Sequence, residues 1–468
     1  MTAVQPITSE PSLRKRTAAA TRDTALRQSL ASASDLLSTR KSSAYSQLAD
    51  APALREEARA IKARILARLP DILERLADNV IARGGHVHWA ATAADANAVI
   101  AEIAAHAGAR SVIKSKSMAS EETGLNEALE ARGCVVTETD LGEWIIQVAG
   151  QTPSHIIVPA VHLNRHQVAE ALRKVADGDL SDVPEELTAF ARRKLRERFL
   201  TADMGVSGVN FGIAETGSLL LVTNEGNGRM VTSLPRVHVA LMGMERVVET
   251  WSELDVMLAL LPRAATGQSI TTYTSVITGP RSSGESDGPE ELHLVILDNG
   301  RSDILGTEFS EMLACIRCGA CLNVCPVYRQ VGGHAYGSVY PGPMGAVLTP
   351  LLNRSEAAGE VAYASSLCGA CHEACPVGIP LQDMLLGLRL RDATTRPHRR
   401  QRLALTAWSM AWSRPRLYRA SLRAASLGYR LLRRPRRTPW AIDRWSAGRD
   451  LPVLARRSFR DLWSRGDL

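Results

Sequence analysis

The period of the apolar positions changes along the chain. Over residues 51–82 apolar side chains recur every three or four positions, at Ile61, Ile65, Leu66, Leu69, Ile72, Leu73 and Leu76, which places them on one face of a helix. Pro70 predicts a kink or a division there, because proline lacks the amide and crowds the preceding turn. Residues 1–50, rich in Ala, Ser and Thr with scattered charge, predict a partly helical arm. From about residue 86 the pattern becomes short apolar runs separated by helical stretches. Strand candidates are Val87-His88-Trp89, Ser111-Val112-Ile113, Cys134-Val135-Val136, Trp144-Ile145-Ile146, His155-Ile156-Ile157-Val158, Leu219 to Val222, Val237 to Leu241 and Leu292 to Leu297. Asp95 to His106 and Glu121 to Arg132 are helix candidates between them. Alternation of this kind predicts an α/β fold with a largely parallel sheet over residues 51–300.

Beyond residue 300 the alternation stops. Glu308 to Ala314 predicts a short helix and Met344 to Leu352 another, while Gly332-Gly333 and Pro341-Gly342-Pro343 break regular structure. Seven of the eight cysteines fall here. Cys315, Cys318, Cys321 and Cys325 form C-x2-C-x2-C-x3-C closed by Pro326, and Cys368, Cys371 and Cys375 follow, closed by Pro376. Thiolates bind iron strongly, and this is the bacterial ferredoxin spacing, in which the last cysteine of a run ligates the other cluster. The rule assigns Cys315, Cys318, Cys321 and Cys375 to cluster 1, and Cys325, Cys368 and Cys371 to cluster 2. Sliding the motif back from Cys375 puts Ser365 where a first cysteine would stand. Cluster 2 is therefore either a four-iron cluster with another fourth ligand, Ser365 among the candidates, or a three-iron cluster. Structural zinc is the competing use of paired C-x2-C knuckles, but a four-cysteine run ending in Cys-Pro fits it poorly. The eighth cysteine, Cys134, reads as a small core residue.

At 468 residues, with 45% hydrophobic and 22% charged positions, the composition is that of a globular protein. No run reaches the ~18 apolar residues of a membrane span. No apolar stretch follows Arg14-Lys15-Arg16, so the reading has no signal peptide and places the chain in the cytoplasm, where thiols stay reduced. The net charge of +7 is uneven: residues 389–468 hold 21 Arg, no Lys and 5 Asp, or +16, leaving −9 on the rest. This tail also carries Trp408, Trp412, Trp440, Trp445 and Trp463. Basic helices with aromatic anchors suit docking on an acidic partner or on the inner face of an anionic membrane. No nucleic-acid-binding fold is visible, and nucleic acid is not expected as a partner. The expected organisation is an N-terminal arm (1–50), an α/β domain (51–300), a two-cluster iron–sulfur region (301–395) and an Arg/Trp-rich C-terminal region (396–468).

In parallel sheets ligands bind at the carboxyl ends of strands. On that basis Lys114 and Lys116, after one strand, and Glu215 and Arg229, flanking another, are candidate substrate-binding residues. No G-x-G-x-x-G or Walker A loop supports a nucleotide cofactor. His162 and His166 stand four apart without an acidic residue in pattern and read as ordinary surface or core histidines.

Three stretches, CIRCGACLNVCPVYRQVGGHAYGSVYPGPMGAVLTP (Cys315 to Pro350), YASSLCGACHEACPVGIP (Tyr363 to Pro380) and GVNFGIAETGSLLLVTNEGNGR (Gly208 to Arg229), carry a resemblance to the lactate-utilization iron–sulfur proteins of the LutB type. It covers roughly residues 30–400, with a less distinctive match through the tail. The resemblance implies an LUD domain, with a sugar-isomerase/CoA-transferase-like fold, joined to a ferredoxin-like two-cluster domain. It implies LutA-like and LutC-like companions and the oxidation of L-lactate to pyruvate, so that lactate serves as a carbon source. The family's cluster ligands map onto all seven cysteines, divided as above, and its members share the missing cysteine at Ser365. Both clusters are then expected to be [4Fe-4S], with [3Fe-4S] the alternative for cluster 2, and the chain to be an electron-transfer subunit. A ferredoxin-like carrier for another dehydrogenase and a non-redox scaffold with structural metal are the alternatives.

Overall fold

A computed structural model describes residues 11–395, 399–432 and 459–466. Two helices open the chain, α1 (Leu13–Ala20) and α2 (Thr24–Tyr45), and α3 (Ala51–Ala67) and α4 (Leu69–Ala82) follow with the division falling at Pro70. The α/β region then runs β1 (His86–Ala90), α5 (Ala93–His106), β2 (Ser111–Lys114), α6 (Met118–Thr123), α7 (Leu125–Glu130), β3 (Val135–Glu138), α8 (Leu141–Ala149), α9 (Arg165–Arg173), α10 (Pro184–Thr201), β4 (Met204–Gly208), β5 (Phe211–Ile213), β6 (Ser218–Thr223), α11 (Asn227–Ser233), β7 (Val237–Gly243), β8 (Val247–Val248), α12 (Trp251–Ala265), β9 (Tyr273–Ile277) and β10 (Glu291–Leu297).

Six strands form a sheet in the order β1-β10-β7-β4-β2-β3, parallel throughout. Its central strand β7 is buried along its whole length, as a strand covered on both faces must be. Helices α5 and α7 cover part of one face with Ile100, Leu125 and Leu129, while α8, α9 and α10 bring Trp144, Leu172 and Phe190 to a separate core around Ile113. A second sheet, β8-β5-β6-β9, is mostly antiparallel. It packs with α3, α4 and α12 into a core that continues into the cysteine region.

Two strand expectations fail. Trp144-Ile145-Ile146 lies in α8: Asp140 caps its first turn by accepting from the Glu143 amide at 3.2 Å, and Gly150 ends it in left-handed backbone. His155-Ile156-Ile157-Val158 is a turn, not a strand, closed by the His155 Nδ1, which accepts from the Ile157 and Val158 amides. The helix expected over Glu121 to Arg132 is broken at Gly124, which takes φ 66° between α6 and α7.

The cysteine region holds α13 (Ala320–Asn323), α14 (Tyr328–Val331), α15 (Gly342–Leu352), α16 (Glu356–Val361), α17 (Ala370–Ala374) and α18 (Leu381–Thr395). It belongs to one compact unit with everything before it, up to Leu390. The stretch between the two cysteine runs is packed inward, with Tyr336, Tyr340, Met344 and Val347 buried. Helices α1 to α3 close over the same region: Arg16 Nε donates to the Ala335 carbonyl at 2.9 Å, Arg55 Nε to the Cys375 carbonyl at 2.8 Å, and Lys41 Nζ to the Ala374 carbonyl.

The second unit, residues 391–468, is described by itself. It contains α19 (Arg399–Trp412), α20 (Pro415–Leu432) and α21 (Phe459–Trp463). Trp408 and Trp412 pack together with ring centroids 5.0 Å apart, and Tyr418 meets Trp412 edge-on at 5.2 Å. Trp440 and Trp445 lie outside the described residues. Among the described residues no helix is long and apolar enough to cross a membrane.

Candidate iron–sulfur centre and adjoining cavity

The two cysteine runs repeat one backbone conformation. Arg317 and Gly319 take φ of 58° and 75° in the first run, and Leu367 and Gly369 take 57° and 83° in the second. Each pair of left-handed residues wraps the chain round its cysteines and feeds a short helix, α13 or α17. At Gly319 a Cβ would stand 3.1 Å from both His155 Cε1 and Ile157 Cγ1, so the loop also needs glycine to approach the α/β region. Ser365 sits in the second run where Cys315 sits in the first, and its Oγ accepts from the Leu367 amide at 3.1 Å.

Folding gathers the thiols into two groups. Cys315, Cys318, Cys321 and Cys375 line one small cavity with Ile156, Met344 and Ile379. Burial, then Cys375, pushes the Cys318 thiol up to about 12, and burial followed by Cys318, Cys315 and Cys375 raises Cys321 well above its ordinary value. In the other group Cys371 is pushed up to about 11 by burial first and then by Cys325 and Cys368. Four or three thiolates in such spaces repel one another, and only a cationic group among them permits their ionisation. Among the described residues no three His, Cys, Asp or Glu side chains close on a single metal position. Four of the thiols ring one small space, and the ferredoxin spacing of their runs makes it a place for an iron–sulfur group. Amides point at the sulfurs: Tyr328 N donates to Cys325 Sγ at 3.5 Å and Ile379 N to Cys375 Sγ at 3.4 Å. Lys41 and Arg55, anchored on the carbonyls of this loop, add positive charge beside the first group. Cys368 is exposed, and hydrogen bonds from the Ala370 amide and Ser366 lower its thiol. Cys134 is buried apart from both groups, its Sγ 3.5 Å from the Ala109 carbonyl.

A cavity of about 430 Å³ adjoins the first group. It opens at the carboxyl ends of the parallel strands, between the segments after β2 (Ser115 to Ala119), β4 (Gly208 to Asn210) and β7 (Gly243 to Arg246), and Arg317 and Tyr340 of the cysteine region complete its wall. Ile156 lines both this cavity and the one ringed by thiols. Beneath it runs a buried charge network. Arg301 forms a two-pronged pair with Glu122 at 2.8 and 2.9 Å and reaches Glu245 at 2.7 Å, and Arg317 Nη2 bonds Glu245 at 3.0 Å. Tyr340 donates to Glu122 at 2.5 Å, and Lys62 Nζ donates to the Glu245 carbonyl at 2.8 Å. Burial would raise Glu245, but Arg301, Arg317 and Arg246 hold it at about 2. Arg246 donates to the Cys315 carbonyl at 3.0 Å and lies over the Phe211 ring. Burial and then Arg317 lower it to about 10.

Of the four candidate substrate residues, the structure brings only Lys116 to this cavity. Lys114 is fully buried and spent on Glu138 at 2.7 Å, Glu121 at 3.0 Å and Ser120. Glu215 accepts from the Trp251 amide at 3.1 Å at the start of α12, and Arg229 is exposed on α11. Arg246 and Arg317 were not singled out from the sequence, although Arg317 stands inside the cysteine run. His162 bonds Gln151, and His166 pairs with Asp182.

These features define a two-cluster iron–sulfur protein built on an α/β domain, and the comparisons agree. Family models match the LUD domain over residues 73–297, the 4Fe-4S dicluster domain over residues 311–379, and the C-terminal region of lactate utilisation protein B over residues 388–467. Proteins named lactate utilization protein B are 48% identical over 460 residues in Macrococcus caseolyticus (96% of this chain, 95% of the relative) and 48% over 452 residues in Shouchella clausii (96% and 95%). The one from Bacillus subtilis is 46% identical over 442 residues (93% and 92%). The chain belongs to the lactate utilization protein B family.

Proposed function

We propose that this chain is the iron–sulfur electron-transfer subunit of a complex that oxidises L-lactate to pyruvate, working with LutA-like and LutC-like subunits. The observation that carries the reading is the interleaving of the cysteine runs: Cys375 of the second run shares a cavity with the first three cysteines of the first. That exchange belongs to two-cluster ferredoxins. We assign Cys315, Cys318, Cys321 and Cys375 to cluster 1, and Cys325, Cys368 and Cys371 to cluster 2. Clusters bound there supply one-electron carriers, which suits taking the two electrons of a hydroxy-acid oxidation singly. The chain's own residues hold the thiolates, donate amide hydrogens to Sγ of Cys325 and Cys375, and keep water from the first group by burial. Cluster 2 is read as [4Fe-4S], its fourth ligand supplied by a group other than cysteine. The N-terminal helices (1–50) serve as a cover, residues 51–300 as the LUD domain, 301–395 as the cluster region, and the basic residues 396–468 as a docking region.

Low-temperature EPR of the anaerobically purified chain, mixed with its two companions before and after L-lactate, tests the reading. Cluster signals that change on adding L-lactate are the expected result. Clusters that reduce with dithionite but ignore L-lactate would reassign the chain as a carrier for another dehydrogenase, and a preparation without reducible iron would end the redox reading.

A further inference from the structure

The cavity beside the cysteines has an unbalanced wall. Arg246, Arg301, Arg317 and Lys116 line it, and its lining carboxylates are Glu245, among the arginines, and Asp140 and Glu225, which neighbour Lys116. Glu122, the next carboxylate, is already held by Arg301, Asn299 and Tyr340. Three guanidiniums therefore have two carboxylates within hydrogen-bonding distance, with the Cys315 sulfur the other negative group beside Arg246 and Arg317. The shortfall falls on two of them. Arg317 gives Nη2 to Glu245, but its Nη1 is buried without a hydrogen-bond partner. Arg246 gives Nη1 to a neutral carbonyl, that of Cys315, and pairs with no carboxylate within salt-bridge distance. A buried donor left unpaired is costly, and guanidinium is the group best matched to a planar carboxylate. Charge around Lys116 runs the other way, because Asp140, Glu143 and Glu225 already surround it. An anion entering the cavity is thus drawn to the arginine wall.

We propose that this cavity is a carboxylate-binding site, in which a small 2-hydroxy or 2-oxo acid lies with its carboxylate between the guanidiniums of Arg246 and Arg317, against the loop that carries Cys315 and Cys318. The acid class rests on the lactate reading above, whereas the anion preference rests on the arginine wall alone. A three-carbon acid fills only the arginine end of a 430 Å³ space. Arg317 then touches both the ligand and, through its place in the run, the cysteine loop.

Calorimetric titration of the anaerobically purified full chain, clusters in place, with L-lactate, pyruvate and lactamide tests the proposal. Binding of at least one acid is expected, with none of lactamide, which has the same shape without the charge. Arg317→Gln should weaken binding about tenfold or more with iron content unchanged. Should that variant lose iron, Arg246→Lys, which keeps a donor for the Cys315 carbonyl but removes the planar guanidinium, should weaken binding likewise. Failure of both acids to bind, equal binding of lactamide, or undiminished binding in an iron-replete arginine variant would overturn the site. The two readings part cleanly. EPR signals that respond to L-lactate in the full complex while the isolated chain binds neither acid would sink the site and keep the relay. Binding without any response of the clusters would do the reverse.

Discussion

Arg317 and Leu367 each precede a cysteine in left-handed backbone, a region that costs a non-glycine residue about 1 kcal/mol or more. That both runs accept this cost argues that the loop shape is required at each. Single substitutions should therefore separate the two groups. Cys318→Ala should lose cluster 1 and Cys371→Ala cluster 2, each lowering iron per chain by about half if one of two clusters is lost, while Cys134→Ala should leave iron unchanged. Iron assay with EPR reads all three. Ser365→Cys restores the thiol that the repeated loop lacks, and should slow iron loss from cluster 2 on exposure to air. At this scale the sequence was explicit wherever spacing encodes chemistry, as in the cysteine runs. It was silent on Arg246, whose role depends on a partner 69 residues away. Nor did anything local reveal that Glu121 and Glu138 fold onto Lys114.

Elements were legible where their periodicity was long. The helical run over 51–82, the division at Pro70 and five of the six strands of the parallel sheet follow from pattern, whereas β4, a short run with glycine at both Gly205 and Gly208, was not singled out. Trp144-Ile145-Ile146 did not, because three apolar residues fit a strand or a buried helix turn equally well. Asp140 and Gly150, the cap and the stop, were the available signals. Within β7, His238 is fully buried, bonds Ser207 at 2.8 Å, and is lowered to about 3 by burial and then by His293. In the unfolded chain its imidazole returns to about 6.5. Between those values the unfolded state binds the extra proton, so this contribution is complete above about pH 6.5 and falls as the pH drops through the window. The thermal midpoint should decline on acidification below pH 6.5, and His238→Gln should make that decline shallower. The network under the cavity gives a second expectation. Glu245→Gln leaves Arg301 and Arg317 short of a charge, a loss of about 3–5 kcal/mol for a broken buried pair. Chemical denaturation followed by circular dichroism measures it.

On the scale of the whole molecule the sequence suggested domains in series, and the structure joins them. The cysteine region, the α/β region and the N-terminal helices form one unit, with the arm lying over the cysteine loops. Composition could not show this, since the contacts join residues more than 300 positions apart. The basic C-terminal unit is separate. Removing residues 391–468 should leave iron content and the thermal midpoint nearly unchanged while weakening association with the proposed companion subunits. That association should itself loosen as salt rises, as charge-driven docking does. Pull-down at two ionic strengths compares the intact and shortened chains.

The arm over the cysteines also sets an order of events during synthesis. Helices α1 and α2 leave the ribosome before the cysteine loops, so Lys41 waits 333 residues for Ala374 and Arg16 waits 319 for Ala335. Contacts of such separation form late and slowly. A segment made early is thus among the last to dock, and the cysteine loops gain this cover only when it does.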